Sequence, residues 1–207
     1  MPLIRREVPK ASVQSLDTDK LAASLVEGTE DERWAAARSA GEFRDGLSML
    51  AEALSRETSP RVREAIFTSL ARIHTPESAA VVLPYLGSDD ASLRAGALDA
   101  LRAMPAATAP HISRVMKDRD ADVRLLACEL ARNQPSGDAS RLLGDLLATE
   151  SRANVCAAAV EVLAEVGGPE QLPLLAECAA RFPDDPFLVF AVQVASERIG
   201  SQAQSRG

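Results

Sequence analysis

The sequence predicts an all-α protein, a right-handed α-α solenoid of about six helix pairs. Three observations predict it. The first is a repeated text. Asp120-Ala-Asp-Val-Arg-Leu-Leu-Ala-Cys-Glu-Leu-Ala131 is an acidic turn running into a helix, and it recurs upstream as Ser92-Leu-Arg-Ala-Gly-Ala-Leu-Asp-Ala-Leu101 and Arg61-Val-Arg-Glu-Ala-Ile-Phe-Thr-Ser-Leu70. The second is phase. Aligned on the residue three after the arginine, the copies extend to Ala36, Ile66, Ala97, Ala127, Ala159 and Ala191, at spacings of 30, 31, 30, 32 and 32. A fixed period of this length marks stacked supersecondary units. The third is composition: 46% hydrophobic but only 3% aromatic. Small side chains let helices approach closely and favour helix over strand.

The helices follow in order. Residues 1–16 contain Pro2 and Pro9 and no helical period, and read as a flexible N-terminal tail. The first pair is 17–28 and 30–43, with Thr29 and Glu32 as a capping box. The second is 45–57 and 60–74, where Ser59-Pro60 is an N-cap followed by proline at the first helical position. The third is 76–87 and 91–104, the fourth 106–117 and 121–133, and the fifth 138–149 and 152–166. The sixth is 170–181 and 186–199, with Asp185-Pro186 repeating the cap device and Gly200 ending it. The repeat domain is therefore 17–200, and 201–207 reads as a polar tail. Pro84 and Pro173 fall inside first helices, where they are expected to bend the rod rather than end it. The residues four after each anchor are Ala40, Leu70, Leu101, Ala131, Leu163 and Ala195, all apolar and all expected to be buried between units.

The repeats resemble the HEAT-repeat family, in particular the short bacterial HEAT-like repeats first described in phycobilin lyases. The family pattern is an acidic turn, a Val-Arg step and an Ala-x-x-Ala-Leu helix. Asp122-Val123-Arg124 and Arg61-Val62-Arg63 match it well, Ser92-Leu93-Arg94 fairly, and Glu32-Arg33-Trp34 loosely. The resemblance implies that the arginine pairs with an acidic residue of an adjacent turn. That makes Arg33, Arg63, Arg94 and Arg124 a structural ladder. Cys156 and Leu188 stand at the next two arginine positions, so the ladder turns apolar. This is either drift towards a C-terminal cap or a change of surface chemistry where a partner docks.

Composition and motifs exclude several functions. The net charge is -7 and the pI about 5.0, which argues against nucleic acid as a partner. No apolar run approaches the ~18 residues of a membrane span. Cys128, Cys156 and Cys178 have no CxxC spacing and read as small core residues in a reducing cytoplasm. Some HEAT-repeat hydroxylases bind iron through His-Glu pairs, but neither His74 nor His111 is followed by Glu. There is no phosphate-cradling glycine motif and no nucleophile–base pattern. No metal, no cofactor and no catalytic residue is expected.

What remains is a surface. Two residues after each anchor stand Arg38, Thr68, Asp99, Glu129, Glu161 and Gln193. One after stand Ala37, Phe67, Leu98, Cys128, Val160 and Val192, and two before stand Trp34, Glu64, Ala95, Leu125, Ala157 and Val189. The acidic row Asp99, Glu129 and Glu161 is a solvated face, or one side of a concave groove with Leu98, Leu125 and Val160 as apolar anchors. The second reading expects a non-enzymatic, cytoplasmic scaffold or adaptor. Its partner would be another protein carrying positive charge and apolar anchors. The family resemblance alone motivates a different class, a phycobilin-lyase-like or tetrapyrrole-handling chaperone subunit.

Overall fold

In a computed structural model, residues 10–206 are described. They form twelve α-helices arranged as six consecutive pairs: α1 Lys10–Glu27 and α2 Glu30–Ala40, α3 Gly46–Arg56 and α4 Pro60–Ile73, α5 Pro76–Val82 and α6 Ala91–Arg102, α7 Pro105–Val115 and α8 Ala121–Ala131, α9 Ser136–Thr149 and α10 Ala153–Val166, and α11 Leu172–Arg181 and α12 Pro186–Arg206. No strand occurs among the described residues.

The sequence signals for helix starts act as their chemistry requires. The Thr29 hydroxyl accepts the Glu32 N–H while the Glu32 carboxylate accepts the Thr29 N–H at 2.7 Å, closing the capping box. Ser59 caps α4 ahead of Pro60, and Asp90 and Asp120 cap α6 and α8. The Asp185 carboxylate accepts the Leu188 N–H at 2.9 Å and starts α12.

Several boundaries and proline positions differ from the sequence reading. Helix α1 begins at Lys10, so the tail is shorter than residues 1–16, and its first nine residues lie outside the described part. Gly200 does not end α12, which continues to Arg206. Glycine costs a helix only ~1 kcal/mol, and the Gln, Ala and Arg that follow are good helix formers. Pro84 ends α5 at Val82, and a 3-10 turn over Leu83–Gly87 replaces the last part of the expected rod. Pro173 lies in the first turn of α11, where its missing N–H has no intrahelical partner to lose. The proline that does sit inside a first helix is Pro110 of α7.

The second helices pack as a continuous row, α2 on α4, α4 on α6, α6 on α8, α8 on α10 and α10 on α12. The first helices are looser: α3 scarcely touches α5, and α7 scarcely touches α9. Among the first helices α5 does pack on α7, and the side lined by the second helices is called the inner face. Between the layers runs one core. It holds Ile66, Ala97, Ala127 and Ala159 at the anchors, and Ala40, Leu70, Leu101, Ala131 and Leu163 four residues on, all fully buried. Each unit closes its apolar faces on its neighbours, which makes stability approximately nearest-neighbour additive.

Candidate functional site

The inner face is defined by where each helix turns away from its neighbours. In α6, a Cβ added at Gly96 would lie 2.9 Å from the Phe67 ring of α4. The position one before the anchor thus faces the preceding repeat, and the position one after it faces the following one. Solvent is left with the positions five before, two before and two after the anchor. Of the three rows the sequence reading selected, those two before and two after the anchor face solvent, and the row one after it, which holds Leu98 and Val160, does not.

The sixth repeat corrects that reading. In α12 the buried residues are Leu188, Val192, Ala195 and Ile199, while Ala191 is only half-buried. The anchor is therefore Val192, not Ala191. Leu188 then matches the buried Val62, Val123 and Val155, and the arginine position falls on Val189. The slip arose because Ala191 and Ala195 imitate the small-residue spacing of the other repeats, and it moved every inner-face assignment in this unit by one. The residues that reach solvent there are Phe187, Phe190 and Val194, which are 71%, 63% and 45% exposed. Two aromatic rings and a valine thus end the inner face in an apolar patch. A signal for them existed in the sequence. Helix α12 begins at a cap-Pro step like that of α4, and counting six residues from Pro60 gives Ile66 and from Pro186 gives Val192.

The predicted anchors fare unequally. Val160 is 0% exposed and touches no solvent, because the position after the anchor packs against the next repeat. Leu98 and Leu125 are half-buried and lie against the core. The acidic row is real but largely answered from within. The Arg102 guanidinium reaches Glu129 at 3.0 Å and Asp99 at 3.6 Å. Arg132 reaches Glu161 at 3.3 Å and Glu129 at 3.5 Å, and also pairs with Glu165. The Arg132 pKa is raised, first by its hydrogen bond with Glu165. Arg102 and Arg132 both stand five residues after an anchor, a regularity the sequence displays. The strip is a relay of alternating charges across three repeats, with a smaller net negative charge than Asp99, Glu129 and Glu161 alone imply.

At the other end of the face, Trp34 lies between two guanidinium groups, Arg38 and Arg61, each 4.9 Å from the ring centroid. Arg61 also pairs with Asp31 at 2.5 Å. Between α4 and α6 a cleft of about 790 Å³ opens, floored by Phe67 and Leu93 and edged by Arg72, Glu64 and Asp99.

The arginine ladder sits on the edge of this face and ties turns together. The Arg33 guanidinium makes a two-pronged contact with Glu57, at 2.8 and 3.1 Å, and donates to the Gly28 carbonyl. Arg124 does the same to Glu150, at 2.6 and 2.9 Å, and donates to the Asp118 carbonyl. Arg63 bonds the Glu57 carbonyl and the Asp90 carboxylate. For Arg94 the hydrogen bond described is to the Ser88 carbonyl, at 2.6 Å, without a carboxylate. Both glutamates are buried, and each accepts two backbone N–H groups of the turn that follows it. Burial raises the Glu57 pKa, but Arg33 and the Ser59 and Thr58 amides more than offset it and leave it lowered. For Glu150 the Arg124 contact is the largest cause of the lowering. Sequence reading located the arginines but not these partners.

The ladder ends for a reason visible only in three dimensions. Cys156, at the fifth rung, places its thiol 3.8 Å from the Glu150 carbonyl. The charge comes instead from Arg181 of α11, which donates to the Ala148 and Glu150 carbonyls at 3.2 and 3.3 Å and to the Leu147 carbonyl. It covers the open C-terminal end of α9. Cys156 and the Arg181 guanidinium hold the Cys178 thiol below its ordinary pKa, while Cys178 and burial push Cys156 up. All three cysteines are free and buried. His111 bonds the Pro76 carbonyl of the previous repeat at 2.9 Å, and His74 ends α4 in the left-handed conformation at φ 55°.

A family model for HEAT repeats matches residues 18–102 and 108–191. The chain belongs to the HEAT-repeat family. Solved HEAT-like and other helical-repeat proteins share the architecture at low identity. An archaeal HEAT-like repeats protein from Thermococcus onnurineus NA1 is 15% identical over 92% of each chain, with a TM-score of 0.52. An engineered protein is 19% identical over 89% of this chain and 99% of its own, with a TM-score of 0.45. A chain of the CpcE–CpcF phycocyanin lyase complex from Nostoc sp. PCC7120 is 19% identical over 91% of this chain and 85% of its own, at a TM-score of 0.39. No curated protein matches the chain. These likenesses establish the fold alone. Among the described residues, no helix of this HEAT-repeat chain is long and apolar enough to cross a membrane.

Proposed function

We propose that this HEAT-repeat chain is a non-enzymatic scaffold that holds a partner protein on its inner face. One observation carries the reading: Phe187, Phe190 and Val194 stand in solvent at inner-face positions of the sixth repeat. Exposed apolar surface is unfavourable by roughly 25 cal/mol per Å², and solitary domains keep such groups scattered rather than clustered. Paired aromatics beside a polar rim are the usual composition of a binding hot spot.

The charge pattern supports a partner that is apolar first and basic second. The patch adjoins the carboxylate relay, where Glu161 remains 69% exposed at its side chain. Because Arg102 and Arg132 answer part of that charge, salt should weaken the complex only moderately. The apolar contact comes from the sixth repeat rather than from Leu98, Leu125 and Val160.

The test is affinity capture with four chains: wild type, Phe187→Ser/Phe190→Ser, Asp99→Lys/Glu129→Lys, and Arg141→Glu on the outer helix α9. The partner should be lost with the first double variant, reduced with the second, and retained with the outer-face control. Retention by both inner-face variants moves the interface elsewhere and ends this reading.

A further inference from the structure

We propose that the cleft between α4 and α6 receives an extended segment of the partner protein, carrying a basic, an apolar and an acidic side chain at alternate residues. The inference rests on the inner-face scaffold reading and names what that partner presents.

The floor sets the first requirement. The cleft holds about 790 Å³, inside the range of about 300–1,000 Å³ that binding clefts occupy. Gly96 opens it. A Cβ there would lie 2.9 Å from two carbons of the Phe67 ring, so the seam stays free of side chains down to that ring. The matching residue of α8 is Leu126, which packs on the core. Phe67, Leu93 and Ala100 make the floor apolar, and an occupant must bring an apolar side chain to it.

The rim sets the second requirement. Two of its arginines are engaged, Arg61 by Asp31 at 2.5 Å and by the Trp34 ring, and Arg63 by Asp90 at 2.9 Å. Asp99 has Arg102 at 3.6 Å. Glu64 and Arg72 are both exposed, and among the described residues neither side chain has an ion pair or a hydrogen bond. Glu42 borders a smaller hollow beside Arg72 without pairing with it. Glu64 and Arg72 lie on one stripe of α4, with Thr68 midway. Eight residues of helix separate them by about 12 Å along the axis. The cleft is thus negative at one end and positive at the other, with an apolar floor between.

The backbone of the occupant follows from the fit. A helix about 10–12 Å across is too thick to enter a seam between helices whose axes stand about 8–10 Å apart. An extended chain is not, and its alternate side chains line one face. Four residues of it span about 13 Å, which matches the separation of Glu64 and Arg72. A basic side chain then meets Glu64, an apolar one meets the Phe67 floor two residues on, and an acidic one meets Arg72 two residues further.

The experiment titrates the full chain into labelled, end-blocked five-residue peptides and reads fluorescence anisotropy. Each peptide has a central leucine between two serines, and the ends are Lys and Glu, Lys and Lys, or Glu and Glu. The pairing runs through side chains, so either chain direction satisfies it and the peptides differ only in charge. Wild type should prefer the Lys/Glu peptide to the other two by about fivefold, the upper worth of an exposed ion pair. Arg72→Glu should shift that preference to the Lys/Lys peptide, and Glu64→Arg should shift it to the Glu/Glu peptide. A gain of binding cannot come from unfolding. Phe187→Ser/Phe190→Ser should bind all three peptides as wild type does. A wild type without preference, charge variants that keep the wild-type preference, or loss of the Lys/Glu peptide with Phe187→Ser/Phe190→Ser each overturns the inference. None of these touches the scaffold reading, which stands or falls on capture of a protein through Phe187 and Phe190.

Discussion

Replacing Arg124 by alanine separates structural from decorative arginines. In the folded chain its guanidinium holds Glu150 with two bonds, 2.6 and 2.9 Å, and bonds the Asp118 and Arg119 carbonyls at 2.8 and 3.2 Å. The Glu150 side chain is only 3% exposed. Truncation leaves a buried carboxylate without its cation, which costs about 3–5 kcal/mol when nothing else answers the charge. Here the Ser151 and Arg152 N–H groups still donate to it, so about 2–4 kcal/mol is expected. A chain of this size loses about 2–4 °C of melting temperature per kcal/mol, giving a drop of about 4–16 °C. Arg94→Ala removes a bond to the Ser88 carbonyl, worth about 1 kcal/mol, or about 2–4 °C. Thermal unfolding followed by far-ultraviolet circular dichroism at neutral pH compares the two. Arg124→Leu/Glu150→Leu should recover most of the loss, because no buried charge is then left unpaired. Equal melting of Arg94→Ala and Arg124→Ala would refute the carboxylate argument.

Acid should act through the same groups. Glu57 and Glu150 have lowered pKa values in the folded chain, so the unfolded chain binds more protons once pH falls below the ordinary glutamate value of ~4.3. Their contribution is complete above that value and is lost as pH descends through the folded pKa values; a Glu150→Gln chain should show a shallower melting-temperature profile between pH 5 and 2. Gly96→Ala should lower stability by ~1–2 kcal/mol, because its Cβ would press on the Phe67 ring. Gly137→Ala meets nothing within 4 Å and should raise stability by ~0.5–1 kcal/mol, so opposite signs in the same denaturant assay test the packing. A strong chelator should leave the melting temperature unchanged, and a fall of several degrees would reveal a structural metal.

The sequence by itself determined the helix pairs, their phase through five repeats and most of their starts. Those features are local. Periodicity of 3.6, capping hydroxyls and carboxylates, and proline at first turns act within a few residues and are written in the residues themselves. The partners of the arginines were decided by the tertiary structure. Arg33 finds Glu57 and Arg124 finds Glu150 across 24 and 26 residues, and many acidic residues stand at comparable separations. Arg181, 31 residues from the Glu150 carbonyl it covers, carries no motif at all. The inner-face patch was also settled in three dimensions. On Ala191 or on Val192 the sequence of α12 is about equally periodic, and one residue of phase rotates a helix by about 100°. Packing broke the tie: Leu188 and Val192 are buried in the core, and Phe187 and Phe190 are turned outwards. Phase was least constrained in the sixth repeat, because none of the described residues supplies a further helix pair to pack on the second face of α12.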